Sequence, residues 1–315
     1  MADIRNETEG IVTVQENGAE AGKETKKKKR RRFGDRRDGR RIRTLPAMTA
    51  LIPFLMKVRS DAQNHFEDEI DITNIETYLE KKHEEGYINM GILHLILASY
   101  VRAVAQRPGI NRFVAGQHIY SRPDVVGVMV VKKKMSLDSP DTTIKVKFDQ
   151  RDTAVQVYEK FEATVKEALS QTTNFDKTAG ILRRIPGLLL RFTVGFMRFL
   201  DYFGLLPKKL LDVSPFHGSF IITSMGSLGI NAIYHHLYDF GTLPVFLSYG
   251  KKYTKDVINE DGTVERRHFI SFRVVTDERI CDGYYYASAF KIIKRQLLHP
   301  ELLDAEMETY LEDID

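Results

Sequence analysis

Cysteine is almost missing from this 315-residue chain. A single one, Cys281, excludes an internal disulfide framework and fits a reducing compartment. No cluster of Cys and His has the spacing of a metal site, so no metal is expected. No internal repeat is present, which excludes solenoid and propeller architectures. The first 22 residues are polar and acidic and lack the apolar core of a secretory signal, so the expected location is cytoplasmic. What is there is ordinary globular material: 43% hydrophobic and 29% charged residues, long enough for one large domain or two small ones.

The net charge of +4 is unevenly spread. Residues 1–22 carry −4, residues 23–43 carry +10 with an unbroken basic run from Lys26 to Arg32, and the remainder carries only −2. Residues 1–38 hold too little apolar surface to offset their ordering entropy and read as a disordered acidic-then-basic tail. Such a run is either a solubilising tail or an electrostatic tether to an anionic surface. Of the anionic partners, lipid is favoured over nucleic acid, each basic residue near a charged leaflet being worth about 1 kcal/mol.

From there the pattern turns globular. Ile52–Asp61 alternates loosely and reads as a strand. Asp71-Ile-Thr-Asn opens a helical period through Ile75, Tyr78 and Leu79. Met90–Val104 is an apolar helix ending before Pro108. Val125–Val131 and Thr142–Phe148 read as strands, and Asp152–Leu169 as an amphipathic helix. Further strands are expected at Gly218–Ser224, Leu243–Tyr249 and His268–Thr276, with a last helix over Tyr284–Leu298. Strands and helices mix without strict alternation, which favours an α+β sheet flanked by helices.

Three segments in order carry a family resemblance. The first is Gly39-Arg-Arg-Ile-Arg-Thr-Leu-Pro-Ala-Met48, followed by Ile52-Pro-Phe. The second is Phe220-Ile-Ile-Thr-Ser-Met-Gly-Ser-Leu-Gly229. The third is Asp277-Glu-Arg-Ile-Cys-Asp-Gly283, followed by a helix reaching Leu297-Leu-His-Pro-Glu-Leu-Leu303. Together they resemble the catalytic domain of the 2-oxoacid dehydrogenase acyltransferases, whose fold is chloramphenicol-acetyltransferase-like. The third is similar to that family's Asp-His-Arg-x-x-Asp-Gly motif and is the most specific. The resemblance implies one domain over residues 39–315, a homotrimer with its site between subunits, and acyl transfer from a coenzyme A thioester or a carrier-bound one. It also implies a general base at the second motif position, an oxyanion donor from Thr223 or Ser224, and a brace between Asp282 and an opening arginine. Arg40, Arg41 and Arg43 are the candidates for that arginine, with Arg41 taken as the representative. The lipoyl domain of that family has no counterpart, so no covalent lipoyl group is expected.

One departure bears on mechanism: Glu278 stands where the family keeps its histidine. A reference glutamate titrates at about 4.3 and a histidine at about 6.5, and a good base titrates near the working pH. Burial of a carboxylate raises its pKa and would restore competence. The readings left open are a catalytic carboxylate, a glutamate paired with Arg279 or Arg273, and a catalytically silent scaffold or regulatory homologue. His217, His235 and His236 are substitute bases to consider, and Cys281 is read as a small core residue rather than a nucleophile.

A second departure is a hydrophobic insertion at about residues 176–212. Arg184, Arg191 and Arg198 recur every seven residues in an otherwise apolar segment, one stripe on a helix. Over 181–206 this suits a core or subunit contact, or a helix lying in an anionic membrane interface and making the protein peripheral there. A span is disfavoured by the central arginines, each costing about 2.5–3.5 kcal/mol on insertion.

Overall fold

The computed structural model describes residues 31–132, 141–170, 180 and 184–313, the side chains at 132 and 141 excepted. The tail reading over residues 1–30 and the start of the insertion, 176–179 and 181–183, lie outside the described residues. The unit from Phe33 to Asp315 is built on a mixed seven-stranded sheet. Along it run β2 (Gln63–Asp71), β10 (Val264–Asp277), β8 (Val245–Tyr249), β7 (Phe220–Ser224), β5 (Val125–Lys132) and β6 (Asp141–Phe148). A seventh strand, β9 (Tyr253–Ile258), pairs with the first half of β10. The β5–β7 and β7–β8 pairs are parallel, the others antiparallel. A small second sheet joins β1 (Arg40–Arg41), β4 (His118–Ser121) and β3 (Arg112–Ala115).

Strand alternation sorts the large sheet into two faces. Phe220, Ile222, Val245, Leu247, Ile270, Phe272 and Val274 point to one face and enter the main core. Four helices cover that face: α2 (Thr73–Glu84), α3 (Ile92–Gln106), α4 (Ala154–Ser170) and the C-terminal helix Gly283–Leu298. Just before α2, Asp71 accepts hydrogen bonds from the Thr73 amide (2.9 Å) and hydroxyl (2.6 Å); the N-cap itself is Ile72, which offers no side-chain cap. α3 is covered all round, every residue from His94 to Ala105 being buried, and Tyr100 lies with its ring centroid 4.0 Å from that of Phe220. On the opposite face Ile221, Phe246 and Val275 join Leu237 and Leu243 in a smaller core.

Several elements differ from the sequence reading. The strand expected at Ile52–Asp61 is instead α1 (Ala47–Leu55) followed by a 3-10 turn, Arg59–Asp61. Pro53 falls in the last turn of α1, where the missing amide removes few backbone bonds. The true strand is β2, whose acidic residues hide a core-facing pair, Phe66 and Ile70. β9 was not anticipated. Three residues, 250–252, separate β8 from β9 opposite only two on β10, so the ladder carries a one-residue bulge.

The insertion folds as α5 (Gly187–Tyr202) and α6 (Lys208–Val213), which makes the C-terminal helix α7. α5 is fixed at its C-terminal end. Asp201 is buried there, its carboxylate 2.6 Å from the Arg36 guanidinium and 3.3 Å from His217. Arg36 also binds Asp38 and donates to the Asp201 carbonyl. These two residues fall in the stretch read as tail. Gly116, at φ 53°, makes the seat possible: a Cβ there would stand 2.3 Å from the Tyr202 carbonyl oxygen.

Candidate active site

The most heavily built polar feature lies at the end of β10. Asp277 is fully buried and receives two arginines. Arg279 binds it with two guanidinium nitrogens, each at 2.8 Å, and Arg59 with a third at 3.1 Å. Arg59 also donates to the Tyr238 and Gly241 carbonyls, and Arg279 to those of Met56 and Lys57. Burial pulls the Arg59 guanidinium down from its usual pKa, opposed by the Asp277 carboxylate. This knot ties the 3-10 turn, the 238–241 segment and the motif into one body. Arg59 was not singled out in the sequence; its long separation from Asp277 leaves no local signal.

Glu278 is the next residue. Its amide donates to the Ala62 carbonyl at 2.9 Å, which fixes its backbone. The carboxylate is half-buried and makes no hydrogen bond or ion pair to another described residue. Neither Arg279 nor Arg273 takes it: Arg273 instead pairs with Glu67 at 3.0 Å. Asp282 is exposed and caps α7, accepting from the Tyr285 amide at 2.8 Å. Arg41 sits on β1 opposite Tyr120, its amide donating to Asp35. Within one chain the structure does not bring Asp282 and Arg41 together. Cys281 is buried in the main core, where burial pushes its thiol pKa up.

The two hydroxyls on β7 point to opposite faces. Ser224 shares the main-core face with Tyr249; its hydroxyl accepts from the Ser227 amide at 3.3 Å. Thr223 is half-buried on the other face and its hydroxyl has no partner among the described residues. On that face the register sets Thr223 beside Ser248, Ser248 beside Arg273, and Arg273 beside Glu67, a polar row across four strands. The segment after the Leu-Gly turn crosses this row: the Ala232 amide donates to Ser271 and the Ile233 amide to Ser248. Beside it opens a cleft of about 540 Å³ lined by Glu67, Asn231, Ser271 and Arg273 among others.

The histidines divide by setting. His217 is buried against Asp201, and burial lowers its pKa. His235 stacks flat on Phe246, ring centroids 4.4 Å apart, on the same sheet face as Thr223; its Nε2 is buried with no partner among the described residues. His236 is exposed against Tyr238. Among the described residues no group of three or more His, Cys, Asp or Glu is arranged to hold a metal ion.

Thr223 and Glu278 are therefore both unengaged, and they are far apart. In register Glu278 falls five residues along β8 from Ser248, the neighbour of Thr223. Five residues of strand span roughly 17 Å. One chain does not assemble both into a single site.

No protein-family model matches the chain, and no curated protein does. Solved structures do. The cubic core of the pyruvate dehydrogenase multienzyme complex matches at 14% identity over 84% of this chain and 94% of that one, with a TM-score of 0.55. Dihydrolipoamide acetyltransferase from Azotobacter vinelandii matches at 15% identity over 84% and 94%, TM-score 0.54. A probable dihydrolipoamide acetyltransferase from Listeria monocytogenes matches at 14% identity over 84% and 93%, TM-score 0.51. At such identities the likeness is one of fold: this chain has the α+β, chloramphenicol-acetyltransferase-like architecture of those catalytic domains.

Proposed function

We propose that this chain, sharing the fold of the dihydrolipoamide acetyltransferase catalytic domains, is an acyltransferase whose site is completed by a second copy of itself. The observation that carries the reading is the separation of Thr223 from Glu278, each with an unengaged side chain, at opposite ends of one sheet. A closed ring of copies, a trimer in this reading, would set Glu278 of one copy against Thr223 of the next. The donor is a thioester, of coenzyme A or of a carrier protein, and enters as substrate.

In such a site Glu278 takes the proton from the acceptor thiol or hydroxyl. The freed sulfur or oxygen attacks the thioester carbonyl, and the Thr223 hydroxyl donates to the oxyanion that forms. Collapse breaks the carbon–sulfur bond, and the thiolate leaves with the proton returned from Glu278. Thr223 is preferred over Ser224 because Ser224 is engaged in its own turn. Arg59, Asp277 and Arg279 act as positioning residues that hold the Glu278 backbone.

The test is release of free thiol from a panel of acyl-coenzyme A donors with several acceptors. Turnover lost in Glu278→Gln and reduced about 10²–10³-fold in Thr223→Val supports the reading. Turnover that survives Glu278→Gln but not His235→Gln moves the base to His235, whose orphaned Nε2 shares the Thr223 face. No turnover, with none gained by Glu278→His, leaves a catalytically silent scaffold.

A further inference from the structure

α5 is amphipathic in the wrong direction for a free surface. At 100° per residue, Leu188, Leu189, Phe192, Phe196, Phe199 and Phe203 occupy one side, and all are exposed, Leu188 at 86% and Phe192 at 71%. Leu190, Val194 and Met197 take the opposite side and are half-buried against the protein. The outward phenylalanines form a continuous ladder, successive centroids 6.4, 6.5 and 4.9 Å apart. An apolar stripe of this size standing in water marks a surface that something covers.

Charge indicates what covers it. From Arg184 to Leu211 there are five basic residues, Arg184, Arg191, Arg198, Lys208 and Lys209, all exposed. None of the five makes an ion pair or hydrogen bond to another described residue. The one acidic residue of that stretch, Asp201, is buried and neutralised by Arg36. On the helix Arg191 and Arg198 flank the apolar ladder on one side. Two copies meeting through the face of α5 would bring the exposed Arg191 and Arg198 of each together, the helix's own acid, Asp201, being already buried against Arg36. An anionic lipid surface meets both features at once: acyl chains for the ladder and headgroup phosphates for the flanking arginines. A span is a different matter, and no helix among the described residues is long and apolar enough to cross a membrane.

We infer that α5 is a membrane-docking helix, lying in the plane of an anionic bilayer with its phenylalanine ladder in the upper acyl region. Its buried end, Asp201 with Arg36 and His217, couples the docked helix to the body. The chain reaches Arg36 four residues after the Lys26–Arg32 run ends, which supplies a second basic segment, and stable peripheral binding takes two such signals. This goes beyond the acyl-transfer reading and does not depend on it.

The test is flotation of the full chain with vesicles of phosphatidylcholine alone and of phosphatidylcholine with phosphatidylglycerol. The protein floats with the anionic vesicles only, and less as salt is raised. Phe192→Glu with Phe196→Glu abolishes flotation while the thermal unfolding midpoint stays put. Arg191→Gln with Arg198→Gln, a milder surface change, weakens binding about thirtyfold, at about 1 kcal/mol per charge. Wild-type protein that stays behind with anionic vesicles overturns the inference. So does flotation unchanged in both variants, which assigns binding to the basic run alone. A fall in particle mass by light scattering in the phenylalanine variant, with flotation intact, also overturns it and makes the face a contact between copies.

Discussion

Helix α3 has 15 residues and α5 has 16, and apolar side chains dominate both. Twelve residues of α3 are buried, whereas in α5 only Asp201 is. α3 is held along its whole length by the sheet and by α4 and α7; α5 is held at one end by an ion-paired carboxylate and turns its phenylalanines outward. Apolar content is thus a statement about a helix's preferred neighbour, and the neighbour need not belong to the same chain. In α3 apolar packing stabilises the fold, while in α5 it is held in reserve.

The sharpest way to break the contrast is to cut into each helix and compare unfolding in urea. Tyr100→Ala in α3 removes a fully buried ring packed tilted against Phe220 and should cost about 3–5 kcal/mol. Asp201→Ala leaves the buried Arg36 and His217 without their shared carboxylate and should cost about 3 kcal/mol. Its distinguishing signature is faster amide exchange along α5 with α3 unchanged; equal loosening of both would mean that α5 is not an end-anchored unit.

Acid should reach the two helices at different pH. His94 in α3 is buried, and burial lowers its pKa to about 4. The unfolded chain takes up that proton near 6.5, so stability is lost as pH falls from 6.5 toward 4, by on the order of 3 kcal/mol in all. His94→Gln should flatten that slope. Asp201 is held at about 2: burial alone would raise it, and His217 and Arg36 together overcome that. Its contribution is present above its unfolded value near 3.8 and fades only as pH drops toward 2. The smallest effect is expected at the phenylalanine ladder. Phe192→Ala should shift unfolding by no more than about 0.5 kcal/mol, because the ring is 71% exposed and meets only its ladder neighbour Phe196 at 6.4 Å. A loss near that of Tyr100→Ala would erase the contrast.

Most of the sheet and its covering helices were legible in the sequence because their apolar residues repeat with clean periods. The strands read at Val125–Val131 and Thr142–Phe148 and the helix at Tyr284–Leu298 lie within a residue or so of the elements observed. Periodicity failed where an element is mainly polar or hangs on a distant partner. β2 carries Glu67, Asp68 and Glu69, each neutralised by a basic residue from another element, so its strand character lies in pairing rather than in composition. α1 contains a proline that argues against a helix until the short length of the element is known. At the candidate site the motif located Asp277 and Glu278. It did not point to Arg59, which reaches Asp277 across 218 positions of sequence. Nor did it separate Thr223 from Ser224, since adjacent strand residues differ only in the face they take.

The clasp at the foot of β10 has a consequence for the assembly proposed above. Because both arginines close on Asp277 within a single chain, the loop presenting Glu278 is already stiff before any neighbour arrives. In the assembly proposed above, association would then spend no ordering entropy at that point, each copy bringing its half of the contact ready-shaped.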